Sequence, residues 1–461
     1  MPRVAEALID VADAPLAERL ILPWRDPVAV LAPFADEPYA VLLLSRGPGA
    51  RWSYFARRPT RVETVGPDDP DRDFRRLRGL LGPRSAHEVD TPPFQGGVIG
   101  LIAYEFADRL EPLGMPRDPD WPDMILADYP AVLAFDHRAR RIIAIGRRRG
   151  DACAKAAARR AASWMARSPP HRPSVDKPAA DNVARATGAD AYEASVADVI
   201  ARIAAGEIFQ ANIAAAWTGT LLADASPFAV FERLQAQSPA PHCAYWRLPG
   251  RALVSHSPER FVSLSANGGV ETRPIKGTRP RGADAVQDDR MRAELIASDK
   301  DRAENLMIVD LMRNDISRVC APGTVKAPSL FAVESYPSVH HLVSTVTGTL
   351  RAGRDASDLL AATFPPGSIT GAPKIQAMRV IARHEPPRGP WCGSLFWAGA
   401  DGALDSSVLI RTAAFVETPV GWRFRACAGA GVVADSDPVA ERLETEVKIS
   451  GLARALTGPG G

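Results

Sequence analysis

A soluble globular chain that mixes helices and strands along its whole length is what this sequence predicts, and three observations carry that reading. In the second half, helical stretches (190–206, 227–237, 287–312, 371–384 and 437–454) alternate with short β-branched and apolar runs (243–247, 252–255, 339–347, 407–416 and 422–427). No internal repeat with a period of about 20 to 50 residues is present, which argues against solenoids and propellers. Hydrophobic residues make up 46%, charged residues 24%, and the net charge is +2, the profile of an ordinary folded protein. At 461 residues the chain could form about three domain-sized units or one large interleaved body.

In chain order, Met1 to Trp24 places Glu6, Asp10, Asp13 and Glu18 among its apolar residues, which does not fit a signal peptide. Ala40 to Leu44, Gly97 to Tyr104 and Ile142 to Ile145 read as strands, Arg138 to Arg149 as a solvated strand and turn, and alanine-rich Asp151 to Met165 as a helix. Ser168-Pro-Pro-His-Arg-Pro173, continuing through Pro178 to Gly188, lacks apolar periodicity and reads as an exposed linker. The expected division is 1–165, a linker over 166–189, and 190–456. Beyond the linker, Asp190 with Glu193 resembles a capping box, and Tyr192, Val196, Val199 and Ile203 mark one helical face.

Composition also excludes classes of function. Charges are mixed in sign along the chain, with no basic stripe for nucleic acid. No segment reaches the roughly 20 apolar residues of a membrane span. Five cysteines (153, 243, 320, 392 and 427) lie far apart without a CxxC pair, which implies a reduced, cytoplasmic chain with no thiolate zinc site.

Only seven of the 56 basic residues are lysines, so a lysine in the apolar, tight setting Arg273-Pro-Ile-Lys-Gly-Thr278 stands out. A desolvated lysine can lose its proton and act as a nucleophile, whereas arginine cannot. The alternative is a turn lysine that snorkels to water. Gly429-Ala-Gly431-Val-Val-Ala434 matches a dinucleotide fingerprint by letter, but Asp435-Ser-Asp-Pro438 intervenes before the next helix, and its amides fit an anion nest better. Phe364 to Lys374 has Pro373 where a phosphate loop needs glycine, so it reads as a turn of small residues entering a helix.

Asp301 with Glu304, and Glu441 with Glu444, share i,i+3 spacing. Each pair is either a solvated face or half of a magnesium site, since that ion needs few protein carboxylates. His340 and His341 sit on one strand and point to opposite faces, so only one can serve a given pocket. No serine or cysteine hydrolase signature is present.

Taken together, the motifs resemble the chorismate-utilising enzymes over nearly the whole chain. The matching stretches include Pro93-Phe-Gln-Gly-Gly97, Gly206-Glu-Ile-Phe-Gln-Ala-Asn212, Ser257-Pro-Glu-Arg260, Pro274-Ile-Lys-Gly-Thr278, His341-Leu-Val-Ser344, Pro366 to Lys374, Ala428-Gly-Ala-Gly431 and Glu441-Arg-Leu-Glu444. The resemblance implies an α+β fold: two β-sheets face to face with helices outside, in one interleaved body. It makes 1–165 an N-terminal domain like that of anthranilate synthase and 190–456 the chorismate-binding catalytic domain.

Within the family, Lys276 resembles the branch that forms aminodeoxychorismate for p-aminobenzoate and folate, because the anthranilate branch carries alanine there. Gln210 stands where the hydrolytic branch carries a lysine. The resemblance implies that Lys276 attacks C2 of chorismate and forms a covalent adduct that ammonia resolves at C4. By the same resemblance His341 assists departure of the C4 hydroxyl, and Glu304 and Glu444 hold magnesium, with Glu441 and Asp301 nearby. Arg411, Lys448, Gly429, Ala430, Gly431, Ser368 and Gly371 would line the substrate site. A glutamine amidotransferase subunit is the implied source of ammonia.

Leu44 stands where relatives have the glutamate of a tryptophan pocket, with Ser45 lining what remains. Phe396 replaces a usual glycine. The alternatives are an anthranilate synthase subunit, a non-catalytic chorismate-binding protein, and, more distantly, a phosphate- or dinucleotide-binding enzyme.

Overall fold

The structure, a computed structural model, describes residues 17–88, 90–148, 153–167, 171 and 177–458. The sequence readings for Met1 to Leu16, Asp151, and 168–176 apart from His171 lie outside these residues.

Antiparallel pairing builds two large sheets, of twelve and ten strands among the described residues. Each sheet joins a block of strands from the first half of the chain to a block from the second. In the larger sheet Val41–Leu44 pairs with His242–Leu248, and in the smaller Gly97–Ile102 pairs with Ser394–Gly399. The segments 1–165 and 190–456 thus share both sheets in one body.

The period-2 alternation of the strands sorts their side chains into layers. Ile99, Leu101 and Ile125 of the smaller sheet pack with Tyr54, Val132, Ile143 and Trp246 of the larger, filling the space between the sheets. The opposite parity, Val98, Ile102 and Leu126, packs outward with Phe74, Leu77 and Leu360. On the far side of the larger sheet, Tyr192, Val196 and Val199 of the predicted helical face meet Ile213, Ala215 and Trp217. Two sheets face each other with helices on both outer faces, as the family resemblance implied.

Four local expectations are corrected. The segment after Lys177 is no free linker: Ala179 and Ala180 are buried with their amides on Leu456 O, and Ala184–Arg185 pairs with the Gln210–Thr220 strand. The helix Ala189–Ala204 begins one residue before Asp190, Gly188 is its N-cap without a side-chain bond, and Glu193 instead pairs with Arg442 at 2.6 Å. The expected helix 287–312 is two, Ala285–Ala297 and Asp299–Ser317, because the Ser298 hydroxyl accepts from Asp301 N at 3.2 Å and caps the second. The expected helix 371–384 starts at Lys374, since Gly371–Ala372 pairs with the strand at Gln210 and Ala211.

Phe396, which replaces the usual glycine, is accommodated across the sheet. It pairs with Gly100, and its ring occupies the space a Cβ at Gly100 would need. Gly100→Ala should therefore overpack this layer and lower stability by about 1–3 kcal/mol in denaturant titration. An unchanged midpoint would refute that packing.

Candidate functional site

The two sheets meet around Lys276: a Cβ on Gly431 of the larger sheet would lie 2.9 Å from Lys276 Nζ of the smaller. Lys276 lies on the edge strand Ile275–Pro280, whose pairing with Val339–Thr349 shifts register between Ile275 and Thr278. The irregularity re-aims the residues inside it. Gly277 has φ +80°, and a Cβ there would lie 2.9 Å from Leu295 and 3.0 Å from Asp301, so glycine lets the Asp299–Ser317 helix close on the strand. Lys276 is thereby turned inward. Its side chain is 12% exposed and its Nζ lies 3.8 Å from Glu304 Oε2.

Burial lowers the Lys276 pKa. Glu304 opposes this, and Lys448 adds to it. The snorkelling alternative is thus not the one adopted. Arg273 and Arg279, although close to Lys276 in sequence, are engaged elsewhere: Arg273 with Glu334, Arg279 with Glu294 at 2.9 Å and Asp301 at 3.1 Å.

The acidic pairs come from two helices, Asp299–Ser317 and Pro438–Thr457. Burial raises the Glu304 carboxyl, and Glu444 contributes in the same direction. Burial also raises Glu441, whose carboxylate accepts from Ser436 Oγ at 2.6 Å. Glu444 is held below its usual range: burial pushes it up, but Lys448 at 2.5 Å outweighs that. Among the described residues no three His, Cys, Asp or Glu side chains converge on one point. What fits is a two-carboxylate arrangement of Glu304 and Glu444, with Asp301 tied to Arg279, suited to an ion whose remaining positions water and substrate complete.

Around this core lie the expected anion-binding groups. Lys448 Nζ donates to Gly429 O at 2.9 Å, which brings it to the Gly421–Val432 strand that carries Gly429, Ala430 and Gly431. That strand runs straight through the glycines, so they belong to no dinucleotide turn. Arg411 is exposed at φ +51°, and its guanidinium finds no acceptor among the described residues. His341 pairs in register with Thr278, and its Nδ1 is 2.9 Å from Thr278 Oγ1. Burial, followed by the charges of Arg411 and His340, lowers the His341 pKa to about 4, so the ring is neutral at pH 7. His340 points the other way, to Ser335 and Asp288. Ser45 belongs to a different cluster, its amide on Ser53 Oγ at 3.0 Å and Ser53 on His137.

One functional group was missed at the sequence level. Glu259, in the connection between Arg251–Ser257 and Arg260–Leu264, is 4% exposed. Burial pushes its pKa up to about 7, against lowering by the Ser368 hydroxyl and by Lys276. It lies in a stretch already matched to the family, Ser257-Pro-Glu-Arg260, but nothing local announces that its carboxyl is sealed from water. With Lys276 it forms an acid and base pair whose pKa values burial moves toward each other.

The chain matches the family model for chorismate binding enzymes over residues 39–454. It is 38% identical to aminodeoxychorismate synthase component 1 of Salmonella typhimurium, over 95% of this chain and 98% of that protein. It is 37% identical to anthranilate synthase component 1 of Streptomyces coelicolor, over 96% and 88%. The fold superposes on the crystal structure of anthranilate synthase component I from Streptococcus pneumoniae with a TM-score of 0.76 at 27% identity, covering 90% of this chain and 94% of that one.

Proposed function

This chain belongs to the chorismate-binding enzyme family, and we propose that within it the chain is the subunit that aminates chorismate to 4-amino-4-deoxychorismate, on the way to p-aminobenzoate and folate. The observation that carries this reading is Lys276: a buried amine, its pKa lowered, set against Glu304 between the sheets.

In the proposed scheme the neutral Lys276 amine bonds to C2 of the ring while the C4 hydroxyl departs and the double bonds shift. The departing oxygen needs a proton, and the Glu259 carboxyl, with a pKa of about 7, can supply it. His341, neutral, can donate only a hydrogen bond to that oxygen. Ammonia then adds at C4 and Lys276 leaves. Two displacements replace one that would have to proceed with retention, which is the advantage of a covalent route. Arg411 and Lys448 orient the substrate carboxylates by charge-assisted hydrogen bonds. Glu304 and Glu444 would hold magnesium, which would supply charge to neutralise the ring carboxylate. The absence of a hydrolase nucleophile signature supports a separate glutaminase subunit as the source of ammonia.

The test is product analysis. The purified chain with chorismate, a magnesium salt and ammonium should yield 4-amino-4-deoxychorismate, and with glutamine only after a glutaminase subunit is added. Fluorescent anthranilate as product would select the rival reading, which the Streptomyces coelicolor match keeps in view. Efficient use of glutamine by the chain alone would refute the division of labour.

A further consequence concerns Gly431. A Cβ there would sit 2.5 Å from Gln210 Nε2 and 2.9 Å from Lys276 Nζ, both ends of flexible side chains. Gly431→Ala should leave the fold intact but displace the amine, slowing adduct formation by roughly a hundredfold in a time course of intact mass. Wild-type rates in that variant would show the amine does not work from this position.

A further inference from the structure

The face of the Gln210–Thr220 strand that looks into the cleft carries two polar side chains the scheme above does not use. Gln210, Asn212, Ala214 and Ala216 alternate onto that face. In register beside them, Gly431 lies across from Asn212 and Gly429 across from Ala214. Gln210 is fully buried and neither of its amide atoms has a partner. Asn212 is 7% exposed, and its Oδ1 is buried without a donor.

The backbone of Asn212, by contrast, is fully engaged. Its amide donates to Thr370 O at 2.9 Å and its carbonyl accepts from Arg388 Nη2 at 2.7 Å. A pinned backbone thus carries an idle acceptor. Space for that acceptor is reserved by the opposing strand, because a Cβ on Gly429 would collide with Asn212 Oδ1 and come within 3.1 Å of Trp391. Lys276 Nζ lies over Gly431, the next residue of the same face. Buried carbonyls without donors are rare in native proteins and call for an explanation, and a bound ligand that supplies the donor is one.

We infer that Asn212 Oδ1 is the acceptor that holds incoming ammonia beside Lys276. This rests on the amination proposed above. Ammonia carries three N–H donors and one lone pair, so a site that accepts its hydrogens leaves the lone pair free for C4. The acceptor is a neutral amide. A carboxylate in its place would favour ammonium, which has no lone pair to give. In the step served, the C4–N bond forms and the bond from C2 to Lys276 breaks. One proton passes from the new ammonium to the departing lysine nitrogen.

The experiment uses the full chain with ammonium salt as nitrogen source. Asn212→Val removes the acceptor at similar size, and the Michaelis constant for ammonium should rise about tenfold, the loss of one hydrogen bond of about 1.4 kcal/mol. The Michaelis constant for chorismate and the formation of the Lys276 adduct without ammonia should not move. Asn212→Ser, which keeps a hydroxyl acceptor, should show a smaller rise and serves as the second variant if the valine disturbs folding. An unchanged ammonium constant in both variants overturns the assignment, as does a loss that falls on chorismate instead. A wild-type chain that makes no aminated product overturns the proposed function and this inference with it, which separates the two failures.

Discussion

Lys276→Ala is expected to abolish amination, lowering kcat by roughly ten-thousandfold or more, since removal of a covalent nucleophile costs on that order. The same substitution should erase the adduct. With ammonia withheld, wild-type chain incubated with chorismate should gain the mass of chorismate less one water, and the variant should gain nothing. Lys276→Arg separates nucleophile from charge: it keeps a cation beside Glu304 but cannot deprotonate near neutral pH, so it should be as inactive as alanine. Substantial turnover by either variant would end the covalent route while leaving chorismate as substrate.

The second large effect belongs to Glu259. Glu259→Gln should lower kcat by about 10²–10⁴-fold, the range for loss of a general acid. In the proposed scheme activity requires Glu259 protonated and Lys276 neutral, so the rate should be bell-shaped in pH, with apparent constants that belong to the pair. In the glutamine variant the ionisation near pH 7 should vanish, leaving a single limb that rises as Lys276 loses its proton. A variant that keeps the full bell within a few-fold of wild-type rate would remove Glu259 from the mechanism.

Stability gives an independent reading of the same group. Its folded pKa of about 7 lies above the ordinary 4.5, so the folded chain binds this proton more tightly than the unfolded one. The stabilising contribution is full below about pH 4.5 and is lost as pH rises through 7, a swing of roughly 3 kcal/mol at 1.36 kcal/mol per unit. Denaturant titrations at pH 5 and pH 8 should differ by less in the glutamine variant than in wild type.

These predictions draw on two sorts of information. Lys276 was legible because a lysine in an arginine-rich chain occupies Pro274-Ile-Lys-Gly-Thr278, a motif readable within five residues. The helix Pro227–Gln237 was placed to the residue, since Pro227 follows the capping Ser226. The split at Ser298 was missed because Asp299 to Ser317 continues the same polar, helix-favouring composition, and only the cap marks the break. Beyond Lys177 the linker reading erred because proline and alanine in a segment do not reveal that Leu456, from far along the chain, accepts the amides of Ala179 and Ala180.

The sequence by itself determined which motifs are present, the alternation of helix and strand, and the lysine on which the proposed chemistry turns. These rest on short-range periodicity, caps and residue type. Only the tertiary structure decided that Glu259 is sealed from water beside Ser368, that Lys448 rather than Arg273 or Arg279 faces the amine, and that Asn212 holds an idle carbonyl over Gly429. The reason is physical: burial and electrostatic coupling are properties of contacts between residues tens to hundreds of positions apart, and no local pattern records them.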